Sequence, residues 1–360
     1  MNVPQLRIQP LPFDPMFERI PDDEADTTRQ LLAALEDIQA TTSRDYAHAV
    51  RSVHAKSHGL LEGELTVDGE LPPALAHGVF ARRGSYPVTL RLSTNPGDVL
   101  DDAVSTPRGL ALKIAEVDGE RLPGSEVHTT QDFVMVNAPA FAAATPKAFV
   151  RSLAMLSKTT DRAPGGKKAL SAVMRGAERA LEALGGESAM LRNLGGHPAT
   201  HILGERFYTC APCLHGSYFA KLAVVPVSPE LLALRDAPID LKGRPNALRE
   251  EVEAFFAVHG GEWELRVQLA TDIEKMPIED ASVVWPEDLS PYLRVATIRV
   301  APQPAWSGAR SAAIDDGMVF SPWHGLAAHR PLGGVMRVRR SLYEASAAYR
   351  SRFNGCPVHA

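Results

Sequence analysis

The chain has 360 residues, with 38 Lys and Arg against 43 Asp and Glu, a net charge of −5 with histidine neutral. That balance argues against a nucleic-acid or anionic-membrane partner, which needs a basic surface, and 45 % hydrophobic residues suffice for a sizeable core. Three cysteines, Cys210, Cys213 and Cys356, cannot form a disulfide framework; with no secretory signal and no apolar run of membrane length, the expected location is the cytoplasm.

Residues 1–21 carry five prolines and read as an extended arm. From Asp22 an acidic turn, DDEAD, leads into TTRQLLAALEDIQA, with Leu31, Leu32, Leu35 and Ile38 on one helical face. Beyond about residue 60 the period changes to two. Val88, Leu90 and Leu92 alternate with Thr89, Arg91 and Ser93, and Leu110, Leu112 and Ile114 alternate with Ala111 and Lys113. Phe133 and Met135 follow, then FAKLAVVPV, WELRVQLATDI and LRVATIRV. Strands joined by Gly, Pro and Asp turns predict an antiparallel sheet or barrel. Helical patterns interrupt it at 145–192, as TPKAFVRSLAMLSK and GKKALSAVMRGAERALEALGG, and a closing helix starts near Pro331 or Val335. The expected class is α+β: an arm and helix over 1–44, then one body over 45–360 with a helical insertion.

The closing helix places Arg339 one turn before Tyr343. A guanidinium there stabilises negative charge on the phenol oxygen, and a phenolate can ligate haem iron. The same spacing also fits a surface Arg lying over a Tyr ring. Near residue 50, RSVHAKSHG holds Arg51 and His54; an imidazole can move a proton between peroxide oxygens. A structural histidine, or a metal pair with His58, fits these residues too, but no third ligand or HExxH context accompanies them. Arg91 and Ser93 share a strand face, where a buried guanidinium calls for a counter-charge. TCAPC places Cys210 and Cys213 among strands without a second cysteine pair for zinc. His324 and His329 read as structural. No nucleotide-binding or esterase motif is present.

In order along the chain, RSVHAKSHG, TLRLST, STPRGLALKI and RRSLY resemble the distal-histidine, RFST, DPRGFAVKF and RxxxY segments of catalases. The resemblance covers roughly residues 45–353, and TTQDFVMVN, MPIEDASVVWPEDLSPY and SPWHGLAAHRPLGGVMRVRR are similar to short bacterial catalase-related haem proteins. It implies a catalase-like antiparallel β-barrel with haem b, iron-ligated by Tyr343 with Arg339 as its charge partner. It makes His54 the distal acid–base, with Ser93 behind it. Arg51 and Arg91 would bind propionates, with Arg350 or Arg352 as a further contact, and Phe141 would pack near the distal haem face. Where catalases place a distal Asn, this chain has His128 or Thr129, and Asn137 falls at the far end of the strand. Thr129 is therefore the substitute expected in the distal site, and the expected activity moves from hydrogen peroxide dismutation toward peroxidase chemistry with organic hydroperoxides. The implied partners are a peroxide and a reductant, with a homo-oligomer carried over from the family; hydroperoxide isomerisation, as in allene oxide synthase-like relatives, and haem binding with little turnover are the alternatives.

Overall fold

The computed structural model describes residues 6–159 and 198–355. Its strands are β1 (Lys56–Val67), β2 (Ser85–Thr94), β3 (Arg108–Ile114), β4 (Gln131–Val136), β5 (Phe207–Tyr208), β6 (Cys213–His215), β7 (Tyr218–Pro226), β8 (Gly261–Leu269) and β9 (Leu293–Val300). All pair antiparallel with their neighbours. β1 joins β2 on one side and β9 on the other, while short β5 bridges β4 to β7. Eight strands thereby close into a barrel, and β6 hangs from β7 as a hairpin. Closure leaves no long unpaired edge, which is how an all-antiparallel sheet avoids pairing with other chains.

The period-two pattern decides what the barrel contains. Val88, Leu90 and Leu92 of β2 pack inside with Leu110 and Leu112 of β3, Phe133 of β4, and Leu265 and Val267 of β8. The alternate residues face outward, yet Arg91 and Ser93 of β2 and those of β3 are buried too, because a second layer covers them. Four longer helices accompany the barrel: α1 (Glu24–Tyr46), α2 (Pro146–Thr159), α3 (Ala247–Phe256) and α4 (Gly334–Asn354). Leu31, Leu35 and Ile38 of α1 form a separate core with Leu153 of α2 and Val338 and Leu342 of α4. The helical face expected from the α1 sequence is the one that packs, with Leu32 at its half-buried margin. The first helical run expected in 145–192 is α2; the second lies outside the described residues, as does Cys356. No helix among the described residues is long and apolar enough to cross a membrane.

One arginine fastens the start of α4. Arg337 donates to Glu24 of α1 at 3.0 Å and 2.8 Å, to Glu18 of the arm at 3.0 Å, and to Glu279 at 2.8 Å. Removing the cation takes away the charge partner of Glu24 and Glu279, while Glu18 keeps Arg330 at 2.9 Å, so Arg337→Ala is expected to cost roughly 1–3 kcal/mol. A lowered urea midpoint for the variant, with the strand signal in circular dichroism retained, is the expected result.

Candidate active site

Between the outer face of β4, the segment before β1 and the helical layer lies a cavity of about 170 Å³. Val134 and Val136 line it from β4, Leu35, Leu153 and Leu342 from the helices, and Phe320 from the chain before α4. Its polar lining includes His54, Asn95, Arg51, Arg339, Tyr343 and Arg350. Segments nearly 300 residues apart in sequence therefore meet because one layer supplies strand ends and the other supplies α4.

His54 precedes β1 with φ +54°, the left-handed region that side chains other than glycine seldom occupy. Its turn is held by Arg91, whose Nη2 donates to the carbonyl oxygens of His54 at 2.9 Å and Ala55 at 3.2 Å. Ser93 Oγ lies 3.2 Å from His54 Nδ1 and 3.5 Å from the Gly109 carbonyl oxygen. If the hydroxyl donates to that carbonyl, it accepts from Nδ1–H, and Nε2 keeps a free lone pair. Gly109 matters by what it lacks: a Cβ there would stand 2.6 Å from the imidazole ring. Burial, aided by repulsion from Arg91 and Arg339, pushes the His54 pKa down to about 3. The ring is a neutral base at any physiological pH.

From the other layer, Arg339 Nη2 donates to Tyr343 Oη at 2.7 Å, as the one-turn spacing on α4 predicts. The same guanidinium lies 5.4 Å over the Tyr343 ring and 5.6 Å from the ring of Phe141, which packs edge-on against Phe149 at 5.2 Å. A charge-assisted hydrogen bond of this kind stabilises negative charge on the phenol oxygen.

A third feature is a surplus of buried positive charge. Arg51, Arg91 and Arg350 cluster around Asp315, which lies in a π-helical turn, Ala312–Asp316. Arg91 Nε pairs with Asp315 Oδ1 at 2.6 Å, while Arg51 and Arg350 donate to main-chain carbonyls of that turn, both reaching Asp315 O, at 3.1 Å and 2.7 Å. Burial opposes the charge on Asp315, but Arg91 and Arg51 outweigh it and hold the carboxyl below its usual range. Burial and repulsion from Arg91 bring Arg350 down to about 10, and burial with repulsion from Arg350 and Arg91 lowers Arg51 as well. The Nε atoms of Arg51 and Arg350 are buried without partners. Orphaned donors in a cationic pocket suit a carboxylate-bearing ligand.

The sequence-derived candidates thus divide. His54, Tyr343, Arg339, Arg51, Arg350 and Phe141 line one cavity, and Ser93 stands behind His54. Arg352 is exposed, which separates it from Arg350. Arg91 does not line the cavity; its guanidinium is engaged by Asp315 and the His54 turn. Thr129 is exposed outside the cavity, its carbonyl accepting from Val117 N–H at 2.8 Å. Asn137 is committed to Glu205 at 2.7 Å and to the Arg108 N–H at 3.0 Å. Cys210 and Cys213 are free thiols pushed up to about 11 and about 12 by burial, and Cys210 forms part of the cavity wall. His329 is buried and its Nε2 accepts from Val79 N–H at 3.1 Å; His324 lies against His128 with ring centres 4.6 Å apart and planes tilted by 40°. No group of three His, Cys, Asp or Glu among the described residues is arranged to hold a metal. Asn95, Gly109 and Asp315 went unnoticed in the sequence, although Gly109 sits in the PRG of STPRGLALKI.

No protein-family model matches this sequence, and no curated protein does. Solved structures do match. A fungal catalase aligns with a TM-score of 0.60 and 18 % identity over 86 % of this chain and 61 % of its own. Catalase A from Saccharomyces cerevisiae aligns with a TM-score of 0.58 and 16 % identity over 87 % of this chain and 64 % of its own. The chain has a catalase-like fold. A bacterial catalase, with a TM-score of 0.57 and 15 % identity over 97 % of this chain and 64 % of its own, agrees. The chain spans between 61 % and 64 % of the length of these catalases.

Two expectations follow from the geometry around the buried imidazoles. Gly109→Ala should displace the His54 ring and so lower any activity that uses it by about tenfold or more, since roughly 1 Å of misplacement is that costly; retained thermal stability would separate this from misfolding. The second concerns acid. Burial lowers His54, His215 and His324 to about 3 and His201 and His329 to about 4, against roughly 6.5 in the unfolded chain. A depressed folded pKa means that the unfolded state binds more protons below pH 6.5, so stability is present above that value and is lost on acidification toward pH 4–3. Each imidazole contributes up to about 1.4 kcal/mol per pH unit in that window, and urea midpoints at pH 7.5, 6 and 5 should fall in that order.

Proposed function

We propose that this protein is a haem-dependent, catalase-like peroxidase that cleaves hydrogen peroxide or an organic hydroperoxide, using a reductant or a second peroxide to complete its cycle. The observation that carries this reading is that the Arg339–Tyr343 pair and the His54–Ser93 pair, from different layers, open into one cavity. The residues fit haem b. Tyr343 would ligate its iron, Arg339 would hold charge on the phenolate oxygen, and the unpartnered Nε atoms of Arg51 and Arg350 would meet propionates. Haem, when bound, would supply the iron that takes one peroxide oxygen and the two electrons that reduce the O–O bond.

The chain's own residues supply the acid–base work. His54 is neutral, so Nε2 can take the hydroperoxide proton; the same nitrogen returns it to the departing oxygen, which leaves as water or an alcohol. Ser93 keeps Nδ1 engaged and so holds the tautomer. The apolar walls, including Val134, Val136, Leu35 and Leu153, limit water around the reacting atoms. Phe141 gives the ring system an aromatic neighbour. The proposed partners are small molecules, with no nucleic acid.

Purified protein supplemented with haem should show a Soret band. Tyr343→Phe should abolish or strongly shift that band, whereas His54→Ala should preserve it and reduce peroxide turnover by about 100-fold or more. A colourless wild-type protein would sink the proposal, and unchanged turnover in His54→Ala would leave haem binding without this mechanism.

A further inference from the structure

Asn95 follows the last residue of β2 and lines the same cavity as His54. Its backbone is fixed from two directions. Asn95 N–H donates to the Pro107 carbonyl at 3.1 Å, and the Pro96 carbonyl accepts from Ala55 N–H at 3.0 Å. Gly97 completes the fastening, since a Cβ there would stand 2.3 Å from the Ser52 carbonyl oxygen. The loop that carries Asn95 is therefore stapled to the 52–55 segment that carries His54.

The side chain is not satisfied in the same way. Asn95 Oδ1 is buried and has no hydrogen-bond partner. Leaving a buried amide unpaired costs about 1–3 kcal/mol, and such a group calls for an explanation such as a ligand. Among the described residues lining the cavity Asn95 is the one carboxamide, and it shares that lining with His54, with Tyr343 and the arginines, and with apolar groups such as Val53, Val134 and Val136. A carboxamide offers an acceptor oxygen and, turned by half a revolution about its terminal bond, two N–H donors. That chemistry matches a hydroperoxide, whose O–H donates and whose two oxygens accept.

We propose that Asn95 is the second polar group of the peroxide site, holding the hydroperoxide by hydrogen bonds while His54 moves its proton. This rests on the peroxidase reading. Asn95 forms and breaks no covalent bond; it fixes the O–O axis relative to Nε2, the task for which Thr129 is misplaced and Asn137 already engaged. The apolar part of the same lining, with Val134, Val136, Leu35 and Leu153, has room for an alkyl chain on the far oxygen, so organic hydroperoxides belong to the substrate class of this site.

The test uses the haem-loaded ferric protein and fluoride as the probe, because bound fluoride is stabilised by nearby hydrogen-bond donors. Asn95→Leu, of similar size, and Asn95→Ala, which adds no bulk, should each weaken fluoride binding by about tenfold, the loss of one good hydrogen bond. kcat/KM for an alkyl hydroperoxide should fall by a similar factor, while the Soret band and thermal midpoint stay at wild-type values. Should Asn95→Leu fail to fold, Asn95→Ala carries the comparison. Fluoride affinity within twofold of wild type in a variant that retains its Soret band overturns the proposal. Wild-type protein that takes up no haem overturns the peroxidase reading and this one together, so the two failures are distinct.

Discussion

The arrangement depends on one buried ion pair, Arg91 with Asp315. A guanidinium on the outer face of β2 would be costly without a counter-charge, and the π-helical turn before α4 brings one to 2.6 Å. Asp315 also accepts from Ser57 Oγ at 2.7 Å and from Ser311 Oγ at 2.8 Å, so its carboxylate is saturated and immobile. With Nε committed to that carboxylate, Arg91 turns its remaining donors on the carbonyls of His54 and Ala55. A strained backbone angle at His54 persists because these contacts over-determine it. His54 is positioned by an arginine that does not line the cavity.

The two layers contribute different kinds of order. The barrel has its own core and sets the positions of strand ends to within hydrogen-bond tolerance. The helical layer has a second, smaller core and is joined to the barrel side by polar ties. Gln39 of α1 donates to Ser346 of α4 at 3.2 Å, and Ser346 meets Ser52, two residues before His54, at 3.1 Å. On the proposed function, His54 belongs to the side tied to the barrel, and a haem would lie between the two layers. The uncompensated guanidiniums work in the same direction, since a bound dianion relieves repulsion that the protein alone leaves in place.

Much of this was legible in the sequence wherever a period carried it. Alternation in β2 and β3 separated Leu90 and Leu92 from Arg91 and Ser93, and helical spacing paired Arg339 with Tyr343. The resemblance to catalases then joined segments that no local pattern could join. What escaped notice lies where no period exists. Asp315 sits on an irregular turn and announces itself only as one acidic residue among 43. Asn95 lies just beyond a strand, where side-chain direction is set by the loop and not by the pleat. Gly109 acts by the absence of a side chain next to a ring from another segment, which is a tertiary fact. Thr129 failed for the same reason as Asn95 was missed: two residues before β4, the alternation that orients Phe133 and Val134 has not begun.

The alternation of β2 has a consequence for how this chain can vary. Strand register acts here like a reading frame. Slipping β2 by one residue against β1 and β3 would keep most backbone pairing but exchange its two faces. Arg91 and Ser93 would enter the barrel beside Leu61 and Leu112, and Leu90 and Leu92 would confront the imidazole. Length changes in the connection between Thr94 and Arg108 leave this alternation intact as long as the ladders on either side keep their count. Within the strand, a single inserted or deleted residue is a frameshift in three dimensions: the sheet still spells a barrel, but the chemistry becomes nonsense.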